Sequence, residues 1–136
     1  MLRWIEPKDI VFEWERVRAG LVEVKKATSD DWLPEDVYMA IKQGHSALYV
    51  GEDDGDYLGF LVVRMAPTFH GSRMEIWCAY SATSTPLMRK FFPEIQKLAK
   101  QFGAQAIGFS SARKEWQVAA KRLGFVTKQI HYEFTL

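Results

Sequence analysis

The most reactive side chains in this sequence are one cysteine and three histidines. Cys78 lies in an apolar run typical of a strand, and it would act as a nucleophile only with an activating histidine beside it. The simpler interpretation is a buried, inert thiol. His45, His70 and His131 are not spaced as metal ligands, either with one another or with Cys78. We therefore expect no metal site, and we expect His70 to lie on the surface in a loop over residues 66–72.

Residues 81–86 read Ser-Ala-Thr-Ser-Thr-Pro, a run rich in hydroxyl side chains. An amphipathic stretch follows directly after this run. The simplest interpretation is that one of these hydroxyls accepts a backbone N–H and caps the helix that follows; the candidates are Thr83, Ser84 and Thr85. The alternative is a hydroxyl-rich phosphate site at the positive end of that helix, helped by Arg89.

The elements that must position these residues follow the order (β)ααβββαβαβ. The spacing of apolar residues predicts a short edge strand at 1–5, helices starting near residues 8 and 34, strands at 46–50, 57–65 and 74–80, a helix at 85–102, a strand at 104–110, a helix at 113–122 and a final strand ending at residue 134. Gly20 is expected to end or bend the first helix. Pro93 predicts either a bend in the third helix or a regular helix that begins only near residue 92. The order predicts an α/β (α+β) fold over residues 1–136, with a mixed, mostly antiparallel central sheet and helices on both faces.

Composition excludes several classes of function. The chain has 18 basic and 17 acidic residues and a net charge of +1, so we expect no binding to nucleic acid or to a membrane surface. A single cysteine allows no intrachain disulfide, which favours a reducing compartment. No apolar run reaches the roughly 18 residues of a membrane span, and no signal peptide is visible.

The segment 111–125 resembles the C-terminal motif of the GNAT acyltransferase superfamily, an apolar–Tyr–charged–Lys–apolar–Gly–Phe signature. The matching residues are Ala119, Ala120, Lys121, Arg122, Leu123, Gly124 and Phe125. Glycine there can adopt the left-handed conformation that ends a helix, and the aromatic residue after it is expected to plug the core and begin the final strand. With the order of elements, the resemblance covers roughly residues 46–135. It implies a GNAT-like fold whose last strands and helices would hold acetyl-coenzyme A.

Two departures from the family pattern concern its chemistry. GNAT enzymes grip the coenzyme pyrophosphate with a glycine-rich loop, whereas residues 81–86 contain no glycine and Pro86 lacks an N–H. The tyrosine that usually serves as general acid falls at Ala120. The resemblance leaves Glu75, at the start of the central strand, as a candidate base, and Tyr132 as a candidate acid. The simpler interpretations are a solvated charge for Glu75 and a structural aromatic for Tyr132.

The chain most resembles the small GNAT-like proteins of tailed bacteriophages with degenerate coenzyme loops. The resemblance lies in its size and in the segments at 31–38 and 76–80. It implies a non-catalytic head-assembly or virion protein in the host cytoplasm or the virion, without a cofactor, that contacts other phage structural proteins or forms a homo-oligomer. The alternatives are an acetyl-CoA-dependent N-acetyltransferase and a sensor that binds the coenzyme without turnover. Trp14 and Trp116 could then lie at an interface or pack on their own sheet.

Overall fold

A computed structural model describes all residues, 1–136. Its elements are β1 (Leu2–Ile5), a 3₁₀ turn (Pro7–Asp9), α1 (Ile10–Lys26), α2 (Pro34–Lys42), β2 (Ala47–Asp53), β3 (Asp56–Thr68), β4 (Gly71–Ser81), α3 (Leu87–Gln101), β5 (Ala106–Gly108) and α4 (Glu115–Leu123). The five strands form one sheet in the order β1-β2-β3-β4-β5, and only the β4–β5 pair is parallel. This confirms the predicted mixed, mostly antiparallel, GNAT-like fold. No helix has the length and apolar character needed to cross a membrane.

Helices cover both faces of the sheet, as predicted. On one face α1 and α2 bury Val17, Leu21 and Ile41 against side chains of β2 and β3. On the other face α3 packs an apolar stripe that includes Phe91 and Ile95. The central strand β3 sends alternate residues into both cores, which explains why its sequence is a nearly continuous apolar run.

Gly20 does not end α1, one of the two outcomes predicted for it, since the helix runs through it to Lys26. A Cβ atom at Gly20 would lie 2.5 Å from Cε1 of Phe60 and 2.7 Å from Cδ2 of Tyr80. The glycine therefore lies where α1 approaches the sheet closely. Its role is side-chain clearance rather than backbone freedom.

Strand β4 contains a bulge at Trp77, because Val62 of β3 pairs with Cys78 while the next residue, Val63, pairs with Ile76. Before the bulge, Ile76 packs toward α3; after it, Cys78 packs toward α1 and α2. Trp77 also faces α1 and α2, so two consecutive side chains share one face. The bulge shifts the alternation of the strand by one residue, as an extra residue in one strand of a pair does.

Two hairpins join the central strands. Asp54 and Gly55 have φ angles of 50° and 83° and close a two-residue turn, as the Asp-Gly pair predicted. The prediction of a loop over residues 66–72 is wrong, because β3 and β4 remain paired as far as Thr68 opposite Gly71. Only Phe69 and His70 form the tip, and the Phe69 side chain is fully exposed.

The C-terminal helix ends as predicted at Gly124, where φ is 93°. The N–H of Gly124 donates to the carbonyl of Lys121 (3.0 Å) and the N–H of Phe125 to that of Ala120 (2.9 Å), the pair of bonds typical of a Schellman cap. The Phe125 ring then packs on Phe92 and Phe109, at centroid distances of 5.7 and 5.0 Å.

The final strand predicted to end at residue 134 is not formed. Residues 126–136 make no backbone–backbone hydrogen bond, and their side chains are exposed. A segment with the alternating pattern of a strand forms one only where a neighbouring strand accepts its backbone hydrogen bonds. Here the segment makes no such bond to β5. In α3, Pro93 lies within one continuous helix that begins at Leu87, so the predicted late start near residue 92 is also wrong.

Candidate functional site

Next to the predicted site lies a groove where β4 and β5 separate. The two strands pair over only three positions, from Arg73 opposite Ala106 to Glu75 opposite Gly108, and then diverge. The space between them, here called the β4–β5 groove, has a volume of about 100 Å³. It is lined by the α1–α2 connection, the bulge region of β4, the start of α3 and the β5–α4 connection. The large side chains of its lining include Trp32, Trp77, Met88, Phe109 and Trp116.

Aromatic side chains of the protein itself fill the walls of this groove. Trp32 and Trp77 meet edge to face with centroids 6.2 Å apart, and the Arg64 guanidinium lies 4.6 Å above the Trp77 ring. Across the groove, Phe109 and Trp116 meet edge to face at 5.2 Å. Such pairs stabilise each other beyond simple burial, so the walls are held by internal packing.

The tryptophans proposed for an interface pack on their own protein. Trp14 contacts Tyr38 with ring centroids 4.8 Å apart, and Trp116 packs against Phe109. The exposed tryptophan is instead Trp4 on β1, with 52% of its surface accessible. It lies near exposed Phe12 on α1.

Glu75 is the one carboxylate of β4, and two arginines hold it. Arg73 Nη2 donates to Oε1 at 2.9 Å, and Arg64 Nε donates to Oε2 at 3.3 Å. The hydrogen bond from Arg73 is the largest of the causes that lower the pKa of Glu75, and the bond from Arg64 adds to it. A carboxylate stabilised as the anion is a poorer proton acceptor. The structure thus gives Glu75 an ion-paired role, one residue before Ile76 of the groove lining.

Cys78 lies among the buried side chains, as expected. Burial raises the pKa of its thiol to about 12. The thiol therefore stays protonated at neutral pH, whereas a nucleophile needs the thiolate.

The hydroxyl-rich loop between β4 and α3 is arranged differently from the prediction. The first N–H of α3, at Leu87, donates to Oγ of Ser81 (2.9 Å), so Ser81 takes the capping role predicted for Thr83, Ser84 or Thr85. Thr83 Oγ1 instead accepts the N–H of Thr85 at 3.2 Å, which closes a local turn. Ser81 stands first in the hydroxyl run, six residues before the helix starts, which is beyond the reach that the usual capping pattern assumes.

Several donors at this end of α3 have no partner within the protein. They are the backbone N–H groups of Thr83, Ser84, Met88 and Arg89. The Arg89 side chain is exposed and makes no ion pair, whereas its neighbour Lys90 pairs with Asp53 at 3.1 Å. Four amides and one guanidinium are thus unpaired at the positive end of the helix, which is where helices favour negative charge.

The predicted acid does not reach the groove. Tyr132 lies on the exposed C-terminal segment and is not among the groove residues. The half-buried Ala120 of α4 carries no proton donor in its side chain. The structure brings together no group of three or more His, Cys, Asp or Glu side chains that could hold a metal ion.

The residues present fit the coenzyme implied by the resemblance only at one end. The free amides and Arg89 suit a pyrophosphate. The groove of about 100 Å³ is smaller than the roughly 300–1,000 Å³ typical of small-molecule sites, and Trp77, Phe109 and Trp116 line it. The groove as folded therefore encloses less space than a typical small-molecule site.

Comparisons with solved structures find the same fold in acetyltransferases. Ribosomal-protein-alanine N-acetyltransferase from Brucella melitensis biovar Abortus 2308 superposes with a TM-score of 0.74 at 9% identity, covering 100% of this chain and 99% of its own. Aminoglycoside N-acetyltransferase AAC(6')-Iy in complex with CoA gives 0.73 at 14% identity, with 100% and 93% coverage. A predicted acetyltransferase from Clostridium acetobutylicum with acetyl-CoA gives 0.69 at 15%, with 99% and 95% coverage.

At these identities the likeness concerns the fold alone. The sequence matches no protein-family model and no curated protein.

Proposed function

We propose that this GNAT-fold protein is a non-catalytic binding protein that acts through protein–protein contacts in the assembly of a tailed-bacteriophage virion. The observation that carries the non-catalytic part is the state of the β4–β5 groove. Its walls are closed by packed aromatic pairs, and the candidate base on β4, Glu75, is held by Arg64 and Arg73 with a lowered pKa. A transferase needs space for an acyl donor and a group that accepts a proton from the attacking amine.

The phage part of the proposal rests on the sequence resemblance at 31–38 and 76–80. The structure adds one supporting contact, because Trp32 from the first segment and Trp77 from the second pack edge to face. The two segments that carry the resemblance therefore form one local structure.

The surface best suited to a protein partner surrounds β1. Trp4 and Phe12, which line the same depression, expose 52% and 82% of their surfaces. Large exposed aromatics are enriched where proteins bind each other, and a cluster of them on one surface is uncommon without a partner. No nucleic acid, membrane or cofactor enters the proposal.

Site-specific photo-crosslinking in infected cells tests the assembly role. A photoreactive phenylalanine at position 12 should crosslink to a portal, capsid or scaffolding protein, while the same group at exposed Lys97 on α3 serves as the matched control. Adducts at position 12 that contain only host enzymes, or equal adducts at both positions, would contradict the proposal.

The acetyl-CoA-dependent N-acetyltransferase remains the second candidate, because one observation favours it. The N–H groups of Thr83, Ser84, Met88 and Arg89 and the Arg89 guanidinium are unpaired at the positive end of α3, and donors of this kind suit a pyrophosphate. The same observation suits a coenzyme sensor without turnover.

Thermal unfolding with acetyl-CoA, and an assay for released thiol, separate these candidates. A ligand present at 100 times its dissociation constant stabilises a protein by about 2.7 kcal/mol. The assembly proposal predicts no stabilisation at millimolar acetyl-CoA. Stabilisation that Arg89→Ala abolishes and Lys97→Ala preserves would establish coenzyme binding, and thiol release with an amine acceptor would establish the transferase.

A further inference from the structure

The C-terminal tail, defined as residues 126–136, has the pattern of a half-buried strand but no partner. Its even-numbered residues from 130 onward are apolar and its odd-numbered ones polar, which is the two-residue period of a strand with one buried face. The apolar set, Ile130, Tyr132, Phe134 and Leu136, is 69–113% exposed.

The sheet has an unfilled place for such a strand. β5 is the last strand of the sheet, so its outer row of backbone N–H and C=O groups has no neighbouring strand. Ile107 on β5 and Phe109 just after it are only half buried, at the margin of the core under α3. One more strand beside β5 would pair the backbone and cover both side chains.

The point at which the tail leaves the body is fixed. Phe125 is held between Phe92 and Phe109, next to the end of β5. From there the chain departs without pairing to its own β5, since the tail makes no backbone–backbone hydrogen bond and both Val126 and Ile130 remain about 70% exposed.

We infer that the tail adds as a sixth strand to β5 of a second copy of this chain, in a reciprocal exchange. Each copy presents one unpaired strand and one unpaired edge, so two copies related by a two-fold axis satisfy both at once and close the assembly. The exchange buries an apolar strand face whose exposure would otherwise favour open-ended association. The inference goes beyond the proposed function and holds for an assembly protein or an enzyme alike.

Sedimentation of the full chain tests the exchange. We expect a mass of twice 15.7 kDa at micromolar concentration. Phe134→Lys, on the apolar side of the tail, should weaken the dimer by about 30-fold or more, the effect of losing a central apolar anchor. Thr135→Lys, one residue away on the polar side, adds the same charge and should leave the dimer constant within about threefold, since rim substitutions have small effects. Neither side chain packs within the monomer, so both variants should fold.

Hydrogen exchange identifies where the tail lies. In the wild-type dimer the tail amides that face β5, every second one along the strand, should be protected, and Phe134→Lys should remove protection both there and at residues 106–108. A monomer, whether its tail is protected by its own β5 or is unprotected, overturns the inference. So does a dimer that tolerates Phe134→Lys, or one in which residues 106–108 exchange alike in both proteins.

Discussion

Replacing Gly20 by alanine tests whether α1 approaches the sheet as closely as the structure shows. In an exposed helix position this change stabilises by about 1 kcal/mol, because glycine is the poorer helix former. Here the new Cβ would lie 2.5 Å from Phe60, which is fully buried, and 2.7 Å from Tyr80. Forcing a methyl group into a packed core costs about 1–3 kcal/mol. The net expectation is therefore a destabilisation of about 0–2 kcal/mol.

The adjacent residue offers a matched control. Ala19 is exposed on the same helix, so Ala19→Gly should cost about 1 kcal/mol through helix propensity alone. Adding the two changes in unfolding free energy cancels the propensity terms and leaves the contact term, which should be about 1–3 kcal/mol. Urea unfolding at one fixed protein concentration measures both variants. A sum near zero would refute the close approach.

Three further predictions concern single residues. Gly124→Val should destabilise by about 2 kcal/mol through backbone strain, because φ is 93° and no neighbour limits the side chain; a melting temperature equal to that of the parent would show that the cap relaxes freely. Because the pKa of Glu75 is lowered in the folded protein, its ion pairs should stabilise the fold fully above about pH 4.5 and lose that effect as the pH falls through the lowered pKa. The difference in unfolding free energy between wild type and Glu75→Gln should therefore shrink on acidification. A difference that does not change with pH would contradict this reasoning. Since burial raises the pKa of Cys78 to about 12, thiol reagents at pH 8 should react only as fast as the protein unfolds; rapid labelling of the native protein would show an open groove.

The sequence predicts the architecture well where patterns are local. The Asp-Gly hairpin, the left-handed Gly124 and the two-faced burial of β3 each follow from residue types over a few positions. The wrong predictions depend on partners distant in the chain. From sequence alone Gly20 is typical of a helix end. Its role becomes clear only from the contact with the rings of Phe60 and Tyr80, which lie far from it in the chain.

The candidate site is less predictable than the fold. Arg73 stands two residues before Glu75, and residues two apart in a strand lie on the same face, so this ion pair is predictable from the sequence. The second partner, Arg64, comes from the neighbouring strand and is not. The bulge that brings Trp77 and Cys78 to one face has no local signature. Whether the tail becomes a strand depends on which edge receives it, and that is a property of the assembled molecule.

The irregularity in β4 also determines where this strand can change length. Deleting Trp77 would leave Met74, Ile76, Cys78 and the residues beyond on the faces they now occupy, because the shifted register would simply become regular. A deletion elsewhere in the strand, away from that position, would turn every later side chain toward the opposite helix layer. Among relatives of this chain, gain or loss of one residue in β4 should therefore occur mainly at Trp77. Such a change should also alter the width of the opening between β4 and β5.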